Sequence, residues 1–179
     1  MHLTPEDIAT IAGWQSTQDG FSRDDPKTGV RVRSIADRLR SPGHLSCDIL
    51  WDDGLKNYFV LFAYIVADVP SFSFAHSVEG LLIYLSACAP VGVVGRSSRC
   101  VDPGLRSHDP LEIADLIDPD NPTGDLEKAT IDAIRSEGYE VLSAEAVSKP
   151  LPPGVTPLDY CDGRSPWDRV FHALFSDTD

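Results

Sequence analysis

The sequence predicts an α+β fold: a single globular domain over residues 1–179, with a mixed or mostly antiparallel sheet of four to five strands packed by helices. Two observations lead there. Residues 45–67 alternate apolar and polar, turn at Asp53-Gly54 and continue as a β-branched and aromatic run, which reads as a hairpin. With it the elements come in the order helix, helix, strand, strand, helix, strand, helices, strand, helix, the helices being marked by start or stop residues.

The first helix is announced by Thr4 as N-cap, Pro5 at the first helical position, and Glu6 and Asp7 facing the positive end of the helix dipole. Ile8, Ile11 and Ala12 form its buried stripe. Gly20, Pro26 and Gly29 make residues 20–30 a loop, and an arginine-rich helix is expected over 32–40, ended by Pro42-Gly43. In the hairpin, Leu45, Cys47, Ile49 and Trp51 lie on one face of the first strand. A two-residue turn at Asp53-Gly54 would pair Ile49 with Tyr58 and Cys47 with Val60. The second strand, 56–67, is apolar on both faces, which places it centrally with both sides covered.

Beyond Pro70 comes a short alternating piece, 71–74, and then Ser77 reads as the N-cap of a buried helix over 78–89. Pro90 stops it, and a strand follows over 91–101 with Gly92 and Gly95 inside. Asp109-Pro110 opens a helix over 110–117. Asp125 caps another to Glu137, with Leu126, Ala129, Ala133 and Ile134 on one face; Gly138 closes it, and a strand is expected over 139–147. A proline-rich loop, 149–166, leads to a last helix with Ser165 as N-cap, Pro166 at N1, Asp168 at N3 and the stripe Trp167, Val170, Phe171, Leu174.

Composition narrows the class. At 179 residues, 42% hydrophobic and 24% charged, the chain is in the range of one domain with a real core. The start MHLTPED lacks a basic n-region and apolar run, and the longest apolar stretch, 58–67, is shorter than the roughly 20 residues that span a bilayer. A soluble cytoplasmic protein is expected. Cys47, Cys88, Cys100 and Cys161 are widely spaced with no C-x-x-C pair, so they read as small buried hydrophobes rather than disulfide or zinc positions.

The formal net charge is −13, which disfavours nucleic acid and anionic membranes and favours a cationic partner. The charge is uneven. Residues 22–40 carry six basic against three acidic side chains, whereas 102–137 carry ten acidic against three basic.

The most chemical-looking stretch is DLIDPDNPTGDLEKAT at 115–130. Counted as a calcium loop from Asp118, it places Pro122 at position 5, Gly124 at 7 and Ala129 at 12, so it fails the EF-hand pattern. It reads instead as a capped turn: Asp118 closes one helix, Asp125 opens the next, and Pro119 and Pro122 fix the bend. GVVGRSS at 92–98 lacks the Gly-Lys-Ser/Thr ending of a phosphate loop, and its glycines fit a bulge or a close neighbour. His76 and Glu79 would share a helix face, but no second such pair completes a metal site.

The one compact set of nucleophilic type is Cys161, Asp168 and His172, with Asp168 and His172 at i, i+4; the plainer reading gives Asp168 to a capping box and His172 to the solvent face. Arg31, Arg33, Arg38 and Arg40 offer forks for carboxylates or phosphates, yet internal pairing, including with the acidic half, accounts for them.

No complete catalytic constellation, cofactor motif or metal-ligand spacing is present in the sequence. The expectation is therefore a small acidic cytoplasmic binding protein, of inhibitor or immunity type, that neutralises a basic protein partner through Asp115, Asp118, Asp120, Asp125 and Glu127. The alternative is an enzyme or small-ligand-binding protein with a pocket between sheet and helices.

Overall fold

Residues 58–63 and 81–85 are apolar at every position, and in the computed structural model both fall in strands with a core on each side. The structure describes residues 3–22, 24–51, 57–68, 77–100, 110–157 and 166–176. Strands β1 (Leu45–Trp51), β2 (Tyr58–Ile65), β3 (Ser77–Ser86), β4 (Val91–Cys100) and β5 (Glu140–Val141) form one mixed sheet in the order β1-β2-β3-β4-β5. The first four pair antiparallel, and β5 joins β4 in parallel. With the helices packed on it this is an α+β fold, as the sequence predicts.

Side chains of a strand alternate between faces, so a fully apolar strand feeds two cores. Tyr58, Val60 and Phe62 of β2, with Val78, Leu82 and Tyr84 of β3, enter one; Phe59, Leu61 and Ala63, with Leu81, Ile83 and Leu85, enter the other. Helix α1 (Pro5–Ala12) and the two short helices α4 (Ala144–Val147) and α5 (Val170–Leu174) cover the first face. Helices α2 (Pro26–Arg40) and α3 (Asp125–Ser136) cover the second. The sheet is thus the middle of three layers; β2 is an interior strand covered on both faces, as expected, although the middle of the five strands is β3.

The largest correction to the sequence reading falls on 78–89, expected as a buried helix and found as β3. A short run apolar on all sides carries no period, and the choice goes to whichever neighbour offers pairing. Here β2 and β4 each supply a full antiparallel ladder. The hairpin register also differs. Ile49 pairs with Leu61 and Cys47 with Ala63, three residues from the expected partners, with an irregularity between Ile49 and Trp51. An odd shift turns β1 over, so Cys47 packs with Leu61 and Ala63 rather than with Val60. The turn residues 52–56 lie outside the described residues, as do 71–74.

Other boundaries moved for local reasons. Helix α1 has the expected Thr4–Asp7 capping box and buries Ile8, Ile11 and Ala12. Helix α2 begins at Pro26, not 32, because Asp25 accepts the Lys27 N–H at 2.8 Å and Pro26 occupies N1. Residues 110–117 make only a 3-10 turn, Ile113–Asp115, since the Ile117 N–H is given to Val94 O of β4 and Leu116 bridges Gly95. Gly124, not Asp125, is the N-cap of α3, and Gly138 closes it at φ 83°. The strand expected over 139–147 is cut to two residues because Ser143 caps α4. The last helix starts at Val170, since Asp168 O and Arg169 are engaged with Leu151 and Pro150; Ser165 lies outside the described residues.

The end of the described chain is tied back to the sheet. Asn57 N–H donates to Ser176 O, Ser176 N–H donates to Asn57 Oδ1 at 2.8 Å, and Asn57 Nδ2 donates to Ala173 O. Both residues are fully buried. Among the described residues no helix is long and apolar enough to cross a membrane.

Candidate partner-binding face

The acidic segment is built from a turn and the helix it feeds. Asp118 accepts the Asp120 N–H at 3.0 Å and the Asn121 Nδ2–H at 2.8 Å, closing an Asx-type turn over Pro119, which is buried. The Asn121 side chain and the Asp120 amide hold the Asp118 carboxyl below its ordinary range, although the group is fully exposed. Asp115 accepts the Glu112 N–H at 3.1 Å and remains exposed. Asp120 is 81% exposed, with a loose contact to Arg135 at 3.4 Å. Asp125 opens α3 on its solvent side, and Asp132, two turns on, shares that face. Four of the five predicted carboxylates are therefore exposed.

Glu127 is placed differently. It lies on the inner side of α3 with its side chain 9% exposed, and it reaches back over the first turn. Its Oε2 accepts the Thr123 N–H at 2.7 Å and the Thr123 hydroxyl at 3.1 Å, while Oε1 accepts Arg96 Nε at 3.1 Å and Nη2 at 2.7 Å. Burial pushes this carboxyl up, but the Thr123 amide, Arg96 and the Thr123 hydroxyl together outweigh it, so it titrates below its usual range. The carboxylate thereby ties Thr123, just ahead of the Gly124 N-cap, to the first turn of α3, which has no side-chain cap of its own, and sets a negative charge near the positive end of the helix.

Three of the arginines of the basic half pair within the protein itself. Arg38 Nε meets Glu137 at 3.1 Å, beside a Ser34 hydroxyl that donates to the same oxygen at 2.7 Å. Arg40 pairs with Asp37 at 3.2 Å, and Arg31 donates to Gly20 O while lying 4.3 Å over the Phe21 ring.

Of the nucleophilic set, Cys161 lies outside the described residues. His172 is buried, not on the solvent face as expected, because all five residues of α5 face inward. Its Nδ1 accepts the Arg169 N–H at 3.2 Å, and Asp168 pairs with Arg169 at 3.2 Å. Burial lowers the imidazole pKa, and the Asp168 charge opposes this. Cys47 is pushed up to about 12 by burial, which keeps it a neutral thiol and a poor nucleophile. Among the described residues no group of three or more His, Cys, Asp or Glu is placed to hold a metal ion. His76 lies outside the described residues and Glu79 is on strand β3, so the shared helix face does not form.

The glycines of 92–98 belong to β4 and mark close neighbours: a Cβ on Gly92 would meet Tyr84 O at 2.7 Å, and Gly95 is covered by Leu111. Sequence reasoning missed two features. One is Arg96 as the anchor of Glu127. The other is an apolar groove of about 560 Å³ between α1, α4 and the start of the proline-rich segment; its sequence signal is KPLPP at 149–153. A smaller hollow of about 320 Å³ lies beside the Arg99–Asp48 pair, which closes at 2.6 Å. Comparison of the chain with protein-family models, with curated proteins and with solved structures finds no match.

Proposed function

We propose that the protein is a small acidic cytoplasmic binding protein of inhibitor type, which docks a basic protein on the face carrying Asp115, Asp118, Asp120 and Asp125. The observation that carries this reading is the unequal use of carboxylates in residues 110–137. Eight acidic side chains stand there against Lys128 and Arg135, and Glu127 and Glu137 are neutralised by Arg96 and Arg38 from elsewhere in the fold. The exposed aspartates keep their charge for a partner. Charge of one sign on one face speeds encounter with an oppositely charged protein and rejects like-charged ones.

The test is Asp115→Lys, Asp120→Lys and Asp125→Lys combined, with Glu127 left intact because its loss would disturb α3. A basic protein captured at low salt is identified, and its association rate with the wild type is measured against ionic strength. The expected result is a rate that falls steeply with salt and drops further in the triple variant, with the variant still folded by circular dichroism. Failure to retain any basic protein at low salt, or retention indifferent to the triple reversal, would remove the proposal.

A further inference from the structure

The groove on the opposite layer offers a chemistry unrelated to the acidic face. Its floor is the apolar surface of Ile8, Leu142, Ala146 and Val170, and its wall is the segment that follows α4. At about 560 Å³ it is within the roughly 300–1,000 Å³ range of small-molecule sites.

What the walls cannot do defines the ligand. Pro5, Pro150, Pro152 and Pro153 have no N–H to give. The amides of Ile8, Leu142, Ala146, Leu151 and Val170 already donate, to Thr4 O, Gly92 O, Ser143 O, Asp168 O and Lys149 O. A peptide laid in the groove would bury backbone carbonyls with almost no donors to meet them, at about 1–3 kcal/mol for each unsatisfied group. An alkyl chain has no such need. Lys149 is the one charged side chain of the lining; it is exposed, and among the described residues no carboxylate lies within ion-pair distance of it. The site therefore pairs an apolar lining with a single basic residue that is open to solvent.

We propose that this groove binds a single-chain amphiphile with an anionic head, such as a medium-chain carboxylate, its chain on the Ile8–Val170 floor and its carboxylate on the Lys149 ammonium. The inference stands independently of the acidic face.

The full chain is titrated calorimetrically with decanoate and decyltrimethylammonium below their micellar range, with decanol below its solubility limit and with anionic-lipid vesicles, alongside Lys149→Met and Lys149→Glu. Because Lys149 is exposed, neither substitution should alter the fold, which circular dichroism checks. Saturable binding of decanoate is expected, weakened about two- to fivefold in Lys149→Met, the fold-change of one exposed ion pair. Lys149→Glu should reverse the preference in favour of the cationic amphiphile. No saturable binding of decanoate, or binding of decanoate and decanol with equal affinity that Lys149→Glu leaves unchanged, would overturn the proposal. Binding only to anionic-lipid vesicles would overturn it as well, by assigning the groove to a membrane surface.

Discussion

Glu127 is the acidic residue whose removal should be felt in the fold itself, and the size of the effect follows from its partners. Two donors come from Thr123 and two from Arg96, all on one carboxylate. A hydrogen bond to a charged group contributes about 1.5–3 kcal/mol, whereas the Arg96 share must be discounted to about 0–1 kcal/mol because that side chain is 65% exposed. Glu127→Gln keeps the shape and one acceptor, so a loss of about 2 kcal/mol is expected, or roughly 4–8 °C in melting temperature for a chain of this size. Glu127→Lys loses the same hydrogen bonds and sets an ammonium beside the Arg96 guanidinium, so it should destabilise at least as much as Glu127→Gln. Asp120→Lys, on an exposed turn, should stay within about 0.5 kcal/mol of the wild type, and Asp125→Lys, in the first turn of α3, should cost about 0.3–1 kcal/mol through the helix dipole.

The assay is urea unfolding followed by circular dichroism at several pH values. The folded carboxyl lies below its ordinary value of 4.5, so its stabilisation is fully present above that pH and is lost as pH falls through the folded value. The gap between wild type and Glu127→Gln should therefore be constant near neutrality and close as the solution is taken below 4.5. An unchanged urea midpoint for Glu127→Gln at neutral pH, or a gap that persists in acid, would refute the reasoning.

Two further outcomes are expected. Asn57→Ala strands the buried Ser176 N–H and Ala173 carbonyl, at a cost of about 2–4 kcal/mol, read from the same urea transitions; a neutral result would mean that the chain end is not tied down by this side chain. For His172, whose folded pKa is depressed below 6.5, the stabilisation is present above that value and fades as pH falls through the folded one; His172→Gln should flatten the loss of stability on acidification in that window, and an identical pH profile would exclude a buried neutral imidazole.

The parts of the fold legible in the sequence were those with a local physical cause. Thr4-Pro5 with Asp7 three residues beyond the cap fixes α1 through hydrogen bonds made within one turn. Gly138 closes α3 because its φ of 83° suits glycine. The doubly apolar β2 announces a buried interior strand. What stayed hidden depends on distant neighbours. LLIYL at 81–85 has no period of its own, and its state is set by the ladders of β2 and β4. The flip of β1 needed the irregularity near Leu50, which alternation does not encode.

The candidate site divides along the same line. Asp118, followed by Pro119, Asn121 and Pro122, reads as a turn from the sequence, because the hydrogen bonds that make it are two and three residues long. Glu127 shares a helical face with Thr130, Ile131 and Ile134, so the apolar stripe of α3 turns it inward; what the sequence does not show is its partner. That partner is Arg96, 31 residues earlier on β4, whose guanidinium meets the carboxylate at the start of α3. An ion pair to so exposed an arginine contributes about 0–1 kcal/mol, whereas burying Ile131 and Ile134 contributes about 1.5–3 kcal/mol each, so the apolar residues set the rotation of α3 and Arg96 meets the one carboxylate they carry inward. The same rotation leaves Asp125 and Asp132 to solvent, and so decides which of the remaining charges stay exposed.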